Sequence, residues 1–501
     1  MMRLSTSTIF ESNVAGMGQQ QSLMLRTQQQ ISTGQRILTA SDDPAAAAQA
    51  LVVSQSDATN TQYTTNRNSA QTTLSLAEST LQSVTNLLQA VKSTAVDAGN
   101  GSYNNSDRAS LATQLSGQLQ DLIGLANSTD GAGNYLFSGF QTGTQPFSNT
   151  PAGIGYFGDN GQRNMQVSAS RQVASSDSGA DVFMAIKNGN GTFVTQAAAA
   201  NTGTGIISTG SVLNPAAVTG DSYAIAFGGL TAQAAVGNTG TGTISTPTVI
   251  SQAALTGNDY SVVFGAGGTT YSVTNTTTGL PVAGMTAQPY ASGQAITVDG
   301  LQFNITDGAT PFAAGDTFTL ASPGYTVTDT TTATQVLPAP PTTGRVPYVA
   351  GGAISFGGMQ VAIQGTPASG DTFAVTPSVN ESIFKTISDL ITTLNNPLPG
   401  TGTGGSTRLA NNLNHALDSL NNDLNNVLTI RSSQGSRLNE ISALQTTGDS
   451  LGVQYKQALS QLQDVDMTKA ISDLTQQKLG LQAAQQSFAA VSTLSLFNYL
   501  K

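Results

Sequence analysis

The 501-residue chain has no cysteine, no tryptophan and a single histidine, His415. Without cysteine it forms no disulfide, thiolate nucleophile or thiolate metal site, and one histidine cannot build a multi-histidine metal centre. A Ser-His-Asp arrangement would have to run through His415 alone, which lies in an Asn-rich stretch, off the apolar positions around it, and is expected to be an exposed surface residue. Charge is scarce too: 9% of residues are Asp, Glu, Lys or Arg, against about 25% in ordinary soluble proteins. With a net charge of -10, attraction to nucleic acid or anionic lipid is disfavoured, since those partners need clustered Lys and Arg. No run approaches the about 18 apolar residues that cross a bilayer, and the opening MMRLSTSTIFESNVAG has no apolar core behind a basic stretch. Neither membrane insertion nor a conventional cleaved signal is expected.

What the chain has is Gly, Ala, Ser, Thr, Asn and Gln, arranged in three regimes. In the first, Phe10, Met17, Met24, Ile31 and Leu38 recur every seven residues, which keeps them on one helical face. A parallel series, Gln21, Gln28 and Gln35, is expected to form a polar half of that seam. Ser41, Asp42, Asp43 and Pro44 read as a helix restart, because Ser or Asp caps free N–H groups and proline suits the first turn. The Asp42–Asp43 pair has the residue type for acid–base work, but Pro44 and the alanines behind it favour capping. From Tyr63 to Ala95 apolar residues alternate steps of four and three, interrupted only by Arg67, and Leu111, Leu115, Leu119 and Leu122 continue as a second helix of a hairpin.

From about residue 140 to 379 the pattern becomes short Val-, Ile-, Thr-, Tyr- and Phe-rich runs between Gly, Asn, Asp and Pro, the mark of strands. Residues 201–228 align without a gap on residues 238–265, at a period of 37, and residues 296–320 resemble residues 354–375. Each member of the second pair carries a Gly-Asp-Thr-Phe turn, at Gly315–Phe318 and Gly370–Phe373. An Asp there is expected to accept local backbone N–H bonds rather than bind calcium, which needs several oxygens in one loop.

The last regime is helical again: one apolar face runs from Ile383 to Leu394, another from Leu413 to Val427, and a final one through Leu474, Leu481, Phe488 and Val491. The expected fold is therefore α+β and multidomain, with long N- and C-terminal helices paired as a coiled coil or bundle around an inserted all-β region with internal repeats. The expected division is 1–45 with 465–501 as a terminal coiled coil, 46–145 with 380–464 as a helical bundle, and 146–379 as the β insertion. The terminal stripes carry few large apolar residues against the entropy of ordering some 35 residues, so neighbouring subunits are expected to order them. Phe10, Met17, Met24, Ile31, Leu38, Leu474, Leu481, Phe488 and Val491 are the candidate assembly seam. No catalytic, cofactor or metal site is expected, and the insertion has no HExxH motif or phosphate loop.

Several stretches resemble a known family. ISTGQRILTASDDPAAAAQA from Ile31 is similar to a signature shared by flagellins and the flagellin-like hook-associated protein 3 family, the hook-filament junction proteins. The stretches from Asp107 (DRASLATQLSGQLQDLIGLANSTDGAGNYLFSGF) and from Asp464 (DVDMTKAISDLTQQKLGLQAAQQSFAAVSTLSLFNYL) resemble it further. The ending Ser495 to Leu500 looks like the junction proteins more than like flagellins. The resemblance implies export through the flagellar type III channel with a dedicated chaperone. It also implies a ring-like homo-oligomer placed at the hook-filament junction, outside the cell, between the other junction protein and flagellin. The absence of cysteine suits threading an unfolded chain, which a disulfide would hold closed. The alternatives are a flagellin, separated by which part of the flagellum is lost with the gene, and a secreted β-repeat adhesin, which does not require matched helical seams at both ends.

Overall fold

A computed structural model describes residues 6–340, 344–396 and 403–493. Among these described residues six α-helices frame the chain: α1 (Thr6–Thr33), α2 (Pro44–Ala98), α3 (Asn105–Ala126), α4 (Ile383–Asn395), α5 (Thr403–Gln463) and α6 (Met467–Thr493). All of the long strands fall between residues 147 and 377. The chain is built as two compact units, one comprising 1–72, 164–175 and 436–501, the other 73–163 and 176–435.

In the first unit α1 packs against α6, and a hairpin of Asn164–Ser168 and Arg171–Ala174 joins residues of α2 and α5. This hairpin explains Arg67, the misfit in the apolar stripe of α2. Arg67 is 2% exposed. Its guanidinium donates to Val167 O at 2.8 Å, to Gln445 Oε1 at 2.8 Å and to Thr64 Oγ1 at 2.7 Å, so the buried charge has the partners it requires. Asn66 Nδ2 adds a bond to Gln166 O at 2.8 Å, and Arg437 one to Ala174 O at 2.9 Å. Residues 164–175 therefore depart from the expected β insertion: they group with α2 and α5 and supply the backbone acceptor of the buried arginine, Val167 O.

The second unit holds three cores. The helical core joins Leu81, Val84, Leu88 and Val91 of α2 to Leu413, Leu420 and Val427 of α5, with α3 and α4 alongside. Phe137, Phe147, Phe183 and Phe384 close one part of it, with neighbouring ring centroids 5.1–5.9 Å apart. The other two cores belong to two β modules of the same design.

One module, the host, has a sheet in the order Thr334–Leu337, Gly324–Asp329, Tyr223–Gly228, Thr372–Pro377, Phe193–Ala197. The other, the guest, has Leu280–Pro281, Thr270–Asn275, Tyr260–Phe264, Thr317–Ala321, Thr231–Ala234. Strand for strand these correspond, and each module adds a smaller sheet centred on Met359–Gln364 or on Leu301–Thr306. The two repeat pairs seen in the sequence are thus two halves of one duplication. The guest lies between Gly228 and Gly324, which are directly paired across the host sheet. In the guest the equivalent strands are joined by a short turn at residues 265–269. The guest has been placed where the host would otherwise turn a hairpin.

The repeated Gly-Asp turns work alike in both copies. Asp371 accepts from Thr202 N, Gly203 N and Ala368 N at 2.8–3.0 Å, and Asp316 from Thr239 N, Gly240 N and Ala313 N at 2.7–2.9 Å. Each carboxylate ties its turn to the first loop of its module, 77 and 169 residues away at the farthest amide. Arg345 binds the two modules together. Its N–H donates to Gly257 O at 2.9 Å, and its guanidinium donates to Ser322 O at 3.0 Å and lies 3.7 Å from Asp259. Gly257, at φ +74°, has the Arg345 carbonyl where a Cβ would sit, so the contact requires glycine.

Replacing residues 229–323 by the guest's own turn, Gly265 to Thr269, should leave a chain whose helical regions and host module unfold at nearly the parent temperature. Deleting one 37-residue period, 201–237, removes three host strands and the guest strand Thr231–Ala234 and should abolish cooperative unfolding of both modules; calorimetry separates the two deletions. The Ala313 N–H, with Thr239 and Gly240, pulls the Asp316 carboxyl down from 3.8 to about 2. Its contribution to stability is therefore present above pH 4 or so and lost as pH falls towards about 2. Asp316→Asn should flatten the acid dependence of guest-module melting in that window.

Candidate assembly interface

The loops that join α1 to α2 and α5 to α6 set the geometry of the chain ends. Gly34, at φ +72°, ends α1 as the left-handed residue after a helix commonly does. Its carbonyl accepts Val465 N at 2.9 Å, and Arg36 N donates to Gln463 O at 2.6 Å. The Arg36 guanidinium reaches Leu462 O at 2.8 Å and Asp43 at 3.2 Å. Asp43 Oδ1 accepts Ala46 N at 3.1 Å with Pro44 in the first turn of α2, while Asp42 Oδ2 accepts Leu38 N and Thr39 N at 2.9 and 3.0 Å. Ser41 Oγ pairs with Thr39 Oγ1. Asp466 Oδ1 accepts Lys469 N at 3.0 Å at the start of α6. Thr39 N–H and Ala46 N–H hold the Asp42 and Asp43 carboxyls, respectively, below the usual carboxylate range. Neither group is placed to give up a proton near neutral pH, so the pair is a turn and a cap.

From these loops α1 and α6 run antiparallel, since Gln35 bridges Asp464 at one end and the Phe10 and Phe488 rings meet at 5.0 Å near the other. Keeping that register puts Met17 across from Leu481 and Met24 across from Leu474. Among the described side chains of α1, Asn13, Met17, Gln20, Met24, Thr27 and Ile31 are half-buried or buried and alternate four and three, with Gln30 half-buried beside them. The polar half of the seam is therefore Asn13, Gln20 and Thr27; Gln21, Gln28 and Gln35 are exposed. The expected series was one residue late, because a seam that alternates four and three places its second row three positions after the first. Leu38 also departs from expectation: α1 stops at Thr33, and Leu38 is half-buried in the loop that Asp42 closes. The side chain of Val491 and the ending from Ser495 lie outside the described residues.

The pair is only partly covered. Phe10 remains 51% exposed despite its ring contact, and Leu479 is 62% exposed. Val14, Leu23, Leu25 and Ile471 also face solvent. Inside the seam, Gln20 Oε1 and Gln477 Oε1 are buried without a hydrogen-bond partner. A two-helix contact of this kind gains little stability by itself, since isolated coiled pairs need apolar residues in both rows.

Elsewhere, His415 is half-buried, not exposed: it borders a cavity of about 310 Å³ beside Asn411, Asp418 and Ser419. Burial raises the Asp418 carboxyl, which accepts Thr209 Oγ1 at 2.5 Å. The sequence signal missed here was the spacing of Asn411, Asp418, Asn422 and Asn426, a polar row on one face of α5. Among the described residues no group of three or more acidic, Cys or His side chains is arranged to hold a metal.

Residues 4–142 match the family model of the bacterial flagellin N-terminal helical region. Over 185 residues, 37% of this chain and 58% of the relative, the protein is 42% identical to flagellar hook-associated protein 3 of Salmonella typhimurium. It is 30% identical to the B-type flagellin of Pseudomonas aeruginosa over 125 residues, 24% of this chain and 26% of that one. The crystal structure of flagellar hook-associated protein 3 from Legionella pneumophila superposes with a TM-score of 0.56 at 26% identity, covering 82% of this chain and 98% of that one. The helical frame with its β insertion is thus similar to the fold of that Legionella protein. In sequence the protein is similar to flagellar hook-associated protein 3 and to flagellin, although the chain spans only 58% of the length of the Salmonella relative.

Proposed function

We propose that this protein is a structural subunit of the bacterial flagellum that joins hook to filament, an adaptor between the other junction protein and flagellin. It polymerises into a ring-like homo-oligomer through the terminal module, residues 1–45 with 465–501. The observation that carries this reading is the α1–α6 pair: held in register by Gly34, Arg36 and Asp464, it still leaves Phe10, Val14, Ile471 and Leu479 facing solvent. An apolar surface of that kind marks a protein interaction site. The similarity of 185 residues of the chain to hook-associated protein 3 supports the place of assembly. The subunit is exported through the flagellar channel with a chaperone on its C-terminal helix and acts outside the cell, without catalysis or cofactor.

A carboxylate at Leu481 or Phe488 would sit between the two helices, where an unpaired charge costs several kcal/mol. In cells carrying Leu481→Asp or Phe488→Asp, the chain should reach the culture medium yet be missing from sheared flagella, with swimming lost. Gln482→Asp, on the exposed face, should assemble normally. Normal incorporation of both seam variants, read by immunoblot of the sheared fraction, contradicts the assembly role of this pair.

A further inference from the structure

The host module is fastened to α5 through three groups on its short strand Ile206–Ile207 and the residues around it. Ile207 N donates to Asn411 Oδ1 at 3.0 Å, Gly205 O accepts from Asn411 Nδ2 at 3.0 Å, and Thr209 Oγ1 donates to Asp418 Oδ2 at 2.5 Å. The Asn411 carboxamide completes the strand edge as another strand would, one donor and one acceptor at the spacing of a peptide group. Asn411 and Asp418 stand seven residues apart, two helical turns, so both project from one face. Gly205 and Ile207 are buried beneath the helix.

The guest carries the same three groups. Under the alignment of residues 201–228 with 238–265, Gly205, Ile207 and Thr209 fall on Gly242, Ile244 and Thr246. The strand geometry is also the same. Ser208 N donates to Ala362 O in the host and Ser245 N to Asn304 O in the guest. Because successive amides of an antiparallel strand alternate in direction, Ile244 N points away from its partner strand just as Ile207 N does. Among the described residues no helix covers it: Gly242 and Ile244 are half-buried and Thr246 is exposed. The core beneath is complete without a helix, built from guest residues and the adjoining Leu230.

We propose that Gly242, Ile244 and Thr246 form a second helix-docking site, the vacant copy of the one Asn411 and Asp418 occupy. Its occupant is an α-helix of a partner protein that presents an Asn and an Asp seven residues apart on one face. The filled copy supplies the template for the occupant: the carboxamide takes the Ile244 N–H and the Gly242 carbonyl, and the carboxylate accepts from the Thr246 hydroxyl. Within the described helices of this chain, Asn411 and Asp418 are the Asn–Asp pair at that spacing, and they are engaged. The inference stands on the internal duplication and not on the flagellar reading.

The probe is a side-chain-bridged helical peptide with the sequence of residues 405–430, titrated against the full-length protein by fluorescence anisotropy. Saturable binding is expected. It should weaken about tenfold with Thr246→Val, which removes one hydrogen bond to a charged group, and at least as much when the peptide carries Leu in place of Asn411. Ile244→Pro removes the outward N–H at a sheet edge, where proline is tolerated, together with a side chain packed against the guest core; it should weaken binding at least as much, with Ile244→Ala, which keeps the N–H, as the control that separates the hydrogen bond from the packing. Absence of saturable binding at millimolar peptide, or an affinity unchanged by Thr246→Val and Ile244→Pro, overturns the proposal; the latter places the peptide at the host copy or elsewhere.

Discussion

With so few charges, the constraint on which this fold depends is hydrogen bonding from side-chain amides, carboxylates and hydroxyls to distant backbone. Strands and helices satisfy their own peptide groups, but nothing in a Gly- and Thr-rich sequence specifies how one element finds another. Here that information is carried by residues such as Asn60, whose amide bonds Gly448 O at 2.8 Å, and Asn426, which spans Asp181 O and Val182 O at 2.9 and 3.0 Å. Asn422 does the same with Lys187 O and Gly189 O. A buried amide left unpaired costs more than a pairing gains, so each such contact rejects other registers more strongly than it stabilises its own. Ion pairs contribute less, since most here are exposed.

Periodicity exposed most of the helical frame and the α+β class, because a stripe every three or four residues has one physical reading. Leu81, Leu88, Leu413 and Leu420 face the core as their spacing implies. What periodicity could not reveal was pairing between segments far apart. The half-polar seam of α1 was visible, but its second row was displaced by one residue, since glutamine can lie inside or outside a helix pair. Arg67 stood out as a misfit, yet two of its acceptors, Val167 O and Gln445 Oε1, lie 100 and 378 residues later. The two repeat pairs were legible as similarities, while their nesting was not, since sequence alignment does not say that Gly228 and Gly324 are paired neighbours.

The same economy suits the proposed role. Helical ends of small, uncharged residues would allow many similar contacts to repeat around an assembly. Duplication within the insertion enlarges it without disturbing that frame, because the guest enters and leaves at adjacent points of one hairpin. A module grafted at a turn carries its own core and leaves the register of the host strands intact.

The most direct measurement is electron microscopy of cells from which the gene has been removed, with an immunoblot for flagellin in the medium. Bare hooks with monomeric flagellin shed outside are the result that a junction subunit predicts. Intact filaments on normal hooks would contradict it, and would return the chain to the class of minor filament subunits or of secreted β-repeat proteins.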